Sequence, residues 1–211
     1  MGGRAFAGLL MLCACSVQGA DLESLHTVNF NFKLTPSLNV QLHTRARTFE
    51  QLRTYNQFRI GPIVFWQAAK RLTLLGGYYQ TSQNTRVITD PYQIRRPWTG
   101  GQIRLAEGRH WTLDNRIVLE RFISPRFTDY WRVRNRATLT VPSPTGQAFG
   151  SIEWLNQHGI PYGRYSSGLQ WRMFKKATLI ASYEFRDAIR GPSSHVIGTL
   201  LQWDAYDRTS R

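Results

Sequence analysis

The sequence predicts an all-β fold, an antiparallel up-and-down transmembrane β-barrel of 10–12 strands. Three observations lead to this prediction: apolar and polar residues alternate along successive segments, the segments are long, and the tryptophans lie at or near their ends. Alternation with a period of two gives a strand one apolar and one polar face. A length of about ten residues is what a tilted strand needs to cross a bilayer.

Residues 1–19 have the features of a cleaved signal peptide. Arg4 precedes a short apolar stretch, and Val17 and Gly19 fit the small-residue rule for cleavage before Ala20. A lipoprotein signal with Cys15 as the lipidated residue is the alternative. Both cysteines of the chain lie in this leader, so we expect neither a disulfide framework nor thiolate chemistry. We expect an exported protein with a barrel domain over residues 20–203 and a C-terminal tail over residues 204–211.

The basic residues are mostly arginines. Lys and Arg number 27 against 13 Asp and Glu, and 23 of the 27 are arginines, which gives a formal net charge of +14. The planar guanidinium group suits fixed pairing with carboxylate or phosphate. Because the chain is expected to leave the cytoplasm, we do not expect nucleic acid as its partner.

Eleven segments fit the period-two pattern, and no segment with a helical period interrupts them. In the first, Val28, Phe30 and Phe32 alternate with Asn29 and Asn31. The segments lie at residues 24–34, 38–47, 53–66, 71–82, 98–106, 110–122, 129–141, 148–155, 163–173, 177–187 and 194–203. Short connections alternate with longer ones, such as residues 82–97 and 156–162, as in transmembrane barrels. Since single-chain bacterial barrels have even strand numbers, we expect ten or twelve strands rather than eleven.

A soluble barrel with an apolar interior would show the same alternation, and it stays open as an alternative. Strand length and the tryptophans favour the membrane barrel, because aromatic residues gather at the two headgroup levels of a bilayer. The predicted aromatic girdle comprises all seven tryptophans: Trp66, Trp98, Trp111, Trp131, Trp154, Trp171 and Trp203. On the same face, Arg121 is explained by snorkelling to the interface, but Asn115 has no explanation unless it marks a bulge.

The last segment is similar to the signal that the barrel-assembly machinery recognises on terminal outer-membrane strands. Residues 198–203 have the spacing Gly-x-x-apolar-x-aromatic, although eight more residues follow Trp203. We therefore expect a protein of the outer membrane of a Gram-negative bacterium. Its expected partners are membrane lipid, lipopolysaccharide and the assembly machinery, and we expect it to be a monomer.

If the apolar faces contact lipid, the charged faces line the lumen. The predicted lumen charge network is Arg116, Glu120, Arg132, Arg134, Arg136, Glu153, Glu184 and Arg186. Further charged residues on inward positions are Arg45, Arg47, Arg59, Arg104, Asp114 and Arg172. Arginines outnumber acids there, and unpaired buried charge is costly unless water or anions solvate it. Two interpretations remain: a narrow water-filled path that prefers anions, and a plug of arginines and carboxylates in a structural barrel.

Patterns for catalysis and metal binding are weak. The five histidines show no His-x-x-x-His spacing, and we expect no metal and no cofactor. Ser193 and His195 share one face of the last strand, and a lipid-modifying enzyme would need such a pair together with a third group. A polar loop that opens the last strand is the simpler interpretation. We expect no enzyme, with a lipid-modifying outer-membrane enzyme or a soluble periplasmic binding barrel as the alternatives.

Several short segments also resemble a known family. They are residues 113–122, 131–136, 152–154, 163–165, 168–172, 181–183 and 194–197. Together they resemble the uncharacterised Gram-negative family called domain of unknown function 2490. Its members carry an Arg-x-x-x-Glu strand, matched here by Arg116 and Glu120, followed by an Arg-x-Arg strand. The resemblance covers most of the mature chain and implies an exported, outer-membrane β-barrel without an established activity.

Overall fold

The structure, a computed structural model, describes residues 21–49, 52–84, 90–143, 146–157, 159–187 and 193–206. Its elements are β1 (Asp21–Lys33), β2 (Leu38–Phe49), β3 (Thr54–Ala69), β4 (Leu72–Gln83), β5 (Tyr92–Gly108), β6 (Trp111–Ser124), β7 (Phe127–Ser143), β8 (Gly146–Gln157), β9 (Ile160–Phe174), β10 (Ala177–Asp187) and β11 (Ser194–Asp204). Among the described residues, no helix is long and apolar enough to cross a membrane. The predicted leader and most of the predicted tail lie outside these residues.

The eleven strands form one closed barrel in chain order, which confirms the predicted all-β barrel. Neighbouring strands pair antiparallel, except that β1 pairs with β11 in parallel, with Asp21 opposite Ser194 and Asn31 opposite Asp204. The expectation of an even strand number is wrong. With an odd number, the first and last strands run in the same direction, so the closing pair has to be parallel. At this seam, Asn31 donates a hydrogen bond to Asp204 over 2.7 Å.

The strand connections define two ends of the barrel. β1, β3, β5, β7, β9 and β11 finish at one end of the barrel, here called the turn end. β2, β4, β6, β8 and β10 finish at the other, the loop end. The two long connections expected from the sequence are shorter in the structure, because β5 begins at Tyr92 and β9 begins at Ile160. Pro97 was expected at the end of the long connection, yet it pairs with Tyr78 inside the sheet.

The barrel interior contains apolar clusters as well as charges. Ile63, Leu75, Tyr79, Trp98 and Val118 form one buried cluster on β3–β6. A second cluster, nearer the loop end, joins Tyr92, Ile94 and Phe122, with Phe127 and Tyr130 packed against it. The lumen of this half of the barrel is therefore filled by large side chains.

Trp98 corrects the predicted aromatic girdle. It points into the lumen, is 6% exposed, and stacks on Tyr79 with ring centroids 5.6 Å apart. Gly77 makes room for it, because a Cβ at Gly77 would lie 2.7 Å from the indole. The prediction placed Trp98 at the start of a strand, whereas β5 begins six residues earlier and presents its even-numbered residues to the lumen.

The other six tryptophans lie on the outer face. Trp66, Trp111, Trp171 and Trp203 are near the turn end, and Trp131 and Trp154 are nearer the loop end. Asn115 also faces outward, and its side-chain amide donates to the Asn135 side chain over 2.6 Å. The pairing of Asn115 with β7 is continuous. A register shift lies nearby on the other neighbouring strand, β5, between Arg104 and Ala106.

Candidate functional site

The candidate site is the charged lumen, which alternation within each strand assembles from distant parts of the chain. The charged residues on inward positions include the following twelve arginines and six carboxylates: Arg45, Arg47, Arg59, Arg96, Arg104, Arg116, Arg132, Arg134, Arg136, Arg164, Arg172, Arg186, Glu23, Asp114, Glu120, Glu153, Glu184 and Asp204. Positive charge is therefore in excess.

Glu120 on β6 is 1% exposed, as little as Asp204 of the same set. It accepts hydrogen bonds from Arg96 over 2.8 Å and from Arg132 over 2.7 Å, and Arg134 lies 3.5 Å away. Arg96 is itself 2% exposed, and its guanidinium carbon lies 4.3 Å from the centre of the Phe122 ring. One carboxylate thus contacts three guanidinium groups from two neighbouring strands, β5 and β7.

Glu153 on β8 continues the arrangement. Arg134 approaches its carboxylate to 2.6 Å, Arg136 to 3.1 Å and Arg164 to 3.6 Å. Arg134 therefore bridges Glu120 and Glu153. Both carboxylates are contacted by arginines from the strands on either side of their own, although Oε2 of Glu153 accepts no hydrogen bond from the described residues.

Two more carboxylates complete the chain of pairs. Glu184 on β10 lies 4.0 Å from Arg164 and accepts a hydrogen bond from Arg186. Arg186 also reaches Glu23 on β1 over 2.6 Å, and Arg47 on β2 contacts the same carboxylate over 2.6 Å. We call this continuous set, which runs from β5 through β10 to β1 and β2 in the loop-end half of the lumen, the ion-pair belt.

Seven of the eight residues predicted for the lumen network lie in the ion-pair belt. Arg116 does not. It lies 5.5 Å from the centre of the Trp98 ring and makes no ion pair within the described part of the chain. The residue opposite Arg116 on β7 is Arg136, so the register places another arginine, rather than a carboxylate, beside it.

Four charged lumen residues were missed by sequence reasoning. Arg96 fell in a segment predicted to be a loop, and Glu23 and Asp204 lie just outside the predicted strand limits. Arg164 could have been found, because it shares the inward parity of Arg172 on the same strand. The key partner of Glu120 was thus hidden by an error in one strand boundary.

The wall opposite the large side chains contains several small residues. Ser166, Gly168, Ser182 and Gly198 face inward on β9–β11, across the lumen from the cluster on β3–β6. At the level of the ion-pair belt, Leu155 is 0% exposed, so its side chain is packed from all sides. Large side chains from one half of the barrel therefore extend toward small ones in the other half.

The outer wall carries a groove of about 720 Å³ across β6–β11, lined mainly by apolar side chains such as Leu139, Ile152, Tyr165 and Phe185. His195 lies in it, and its Nδ1 is hydrogen-bonded to the Tyr183 hydroxyl. Ser193 makes no hydrogen bond to His195 in the part of the chain that the structure describes. The serine–histidine pair that a lipid-modifying enzyme would need is therefore not assembled in this structure, and His195 is hydrogen-bonded to a phenol.

No group of three or more His, Cys, Asp and Glu side chains among the described residues could hold a metal ion. A family model described as a protein of unknown function, DUF2490, matches residues 23–187. The match begins at Glu23 of the ion-pair belt and ends with β10. A comparison with curated proteins gives no significant match.

Proposed function

The chain belongs to the DUF2490 family of proteins of unknown function, and we propose that it is an outer-membrane β-barrel with a closed, Arg-rich lumen and a structural role. The observation that carries the proposal is the ion-pair belt, which ties eight strands together across the lumen. The chain folds as a closed barrel. We propose that this barrel lies in the outer membrane, that its lumen is closed to ions and that its role is structural.

The outer face supports insertion in a membrane. Ile117, Ile152 and Ile197 are half or more exposed on it, and isoleucines presented in this way around a barrel would be a liability in water. The six outward tryptophans lie toward the two ends, as at the headgroup levels of a bilayer. Arg95 and Arg121 point outward close to the loop end, where long side chains can reach the interface. A soluble binding barrel would instead need its apolar face inside.

The interior supports closure. Arg96 and Glu120 are almost completely buried, and buried ions are tolerated only when partners surround them. The aromatic cluster around Trp98 fills the lumen beside the ion-pair belt. An eleven-stranded barrel is narrow enough for long side chains to fill it. We therefore propose a plugged barrel rather than an open pore.

Anion conduction is the second candidate function, and one observation favours it. Arg45, Arg59 and Arg116 make no ion pair within the described residues, so part of the lumen keeps unpaired positive charge. Rings of arginine favour anions over cations in pores. This candidate needs a continuous water path past the ion-pair belt.

We propose no catalytic role for Ser193 and His195. His195 is 7% exposed and engages Tyr183, so a substrate would have to displace the phenol before the imidazole could act as a base. Lipid profiles that change when His195 is replaced by alanine, with folding intact, would favour the lipid-modifying enzyme instead.

Two measurements test the proposal. Membrane fractionation and comparison of boiled with unboiled samples on a gel should find the protein in the outer membrane with heat-modifiable migration. Planar bilayers containing the refolded protein should show no stable conductance steps, with unfolded protein as the control. Recovery in the soluble periplasmic fraction would overturn the membrane assignment. Stable anion-selective conductance steps would contradict the plugged barrel and favour the anion pathway.

A further inference from the structure

Two lumen arginines face each other without a carboxylate between them. Arg45 on β2 and Arg59 on β3 are direct register partners, and like charges directly opposite each other destabilise a sheet. Arg164 and Arg186 are also direct partners, but there Glu184 contacts both. Among the described residues, the Arg45–Arg59 pair has no such carboxylate.

The two guanidinium groups share a single neutral acceptor. Nη2 of Arg45 and Nη2 of Arg59 both donate to Oε1 of Gln57, over 3.1 and 2.9 Å. The amide nitrogen of Gln57 donates to Gln83 over 2.8 Å, which holds the carbonyl oxygen toward the arginines. A neutral amide cannot compensate two positive charges in a partly dry lumen.

Three buried hydrogen-bond donors lie at this arginine pair. The Nε atoms of Arg45 and Arg59 and the hydroxyl of Thr81 are buried and have no hydrogen-bond partner among the residues that the structure describes. Thr81 is the register partner of Arg59 on β4 and is 0% exposed, while Arg59 is 4% exposed. The Arg59 guanidinium lies 4.9 Å from the centre of the Tyr79 ring. Since buried polar groups are almost always hydrogen-bonded, these donors indicate a missing acceptor.

We propose that Arg45, Arg59 and Thr81 bind a tetrahedral oxyanion of the phosphate or sulfate class inside the lumen. An anion with close to two negative charges compensates both guanidinium groups, and its several oxygens accept from two Nε–H groups and a hydroxyl at once. Chloride has one charge, and a carboxylate has one charge and only two oxygens. The site requires the folded barrel but neither the membrane nor closure of the lumen.

Titration calorimetry of the full chain, refolded in detergent micelles free of phosphate and sulfate, tests this site. Sodium phosphate and sodium sulfate should bind, whereas acetate and chloride at the same ionic strength should not. Arg59→Gln should weaken phosphate binding tenfold or more, and Thr81→Val should weaken it less. Arg172→Gln is the matched control, because Arg172 faces the lumen at the turn end, where it donates to the Lys175 carbonyl over 2.8 Å. This variant should bind phosphate as tightly as the unchanged protein.

Thermal unfolding separates this role from a merely structural one. Without oxyanion, Arg59→Gln should unfold at the same temperature as the unchanged protein or at a higher one, because the substitution removes the repulsion between two arginines. With phosphate, the unfolding temperature should rise for the unchanged protein and for Arg172→Gln, but not for Arg59→Gln. A second titration with a lysophosphatidic acid tests whether the phosphate can come from a lipid headgroup. Binding of inorganic phosphate or of lysophosphatidic acid supports the site. Binding of neither overturns it, and so does a loss of phosphate affinity in Arg172→Gln equal to the loss in Arg59→Gln.

Discussion

Glu120→Gln is the sharpest perturbation of the ion-pair belt. The substitution keeps the shape of the side chain but removes the only carboxylate that contacts Arg96 among the described residues. It leaves three guanidinium groups around an amide, and the new amide N–H₂ group cannot accept their hydrogen bonds. Because Arg96 and Glu120 are both almost fully buried, water cannot screen the remaining charges.

The expected loss in the free energy of unfolding is about 3–5 kcal/mol, the cost of removing one partner of a buried ion pair. Arg96→Met should cost less than Glu120→Gln, because Glu120 keeps Arg132 and Arg134 as partners. Glu107→Gln is the control: Glu107 lies 3.5 Å from Arg71 and 3.5 Å from Arg104, and all three side chains are more than 40% exposed. Such a surface pair contributes about 0–1 kcal/mol.

Urea titration of the refolded protein, followed by tryptophan fluorescence and by the fraction that migrates as folded on an unboiled gel, measures these differences. Folding should be shown to be reversible for each variant. If Glu120→Gln lost no more stability than Glu107→Gln, the buried belt would not stabilise the barrel, and the argument for a plugged lumen would fail with it.

Two further predictions concern the two faces of the wall. Ile152→Arg places a charge on the outer face in the middle of β8. The free energy of folding into lipid vesicles should therefore weaken by about 2–4 kcal/mol if that position lies near the bilayer midplane. Ile152→Val is the control, and an unchanged free energy of folding in Ile152→Arg would contradict the membrane assignment. Trp98→Ala should cost about 3–5 kcal/mol in urea titrations because it empties the lumen cluster, whereas Trp66→Ala, on the outer face, should cost less; equal losses would contradict the inward placement of Trp98.

Much of the architecture could be predicted because it depends on local pattern. Strand alternation is a property of neighbouring residues, and it located every strand and assigned Arg132, Arg134 and Arg136 to one face. All three contact Glu120 or Glu153 in the lumen. The signals weakened at strand ends, where the first six residues of β5, from Tyr92 to Pro97, were predicted as part of a loop. That single boundary concealed Arg96. It also made Trp98 the first residue of a strand, so Trp98 was assigned to the interfacial girdle although it shares the parity of the inward Arg104.

The sequence by itself therefore determined the strands, their two faces and the excess of arginine. Only the tertiary structure decided that eleven strands close through the parallel pair of β1 and β11, and which arginine faces a carboxylate. Glu153 lies between arginines of β7 and β9, whereas Arg45 faces Arg59. The physical reason is that the side to which a residue points follows from its parity along one strand. Its charge partner depends on the register between strands, which the whole closed sheet sets.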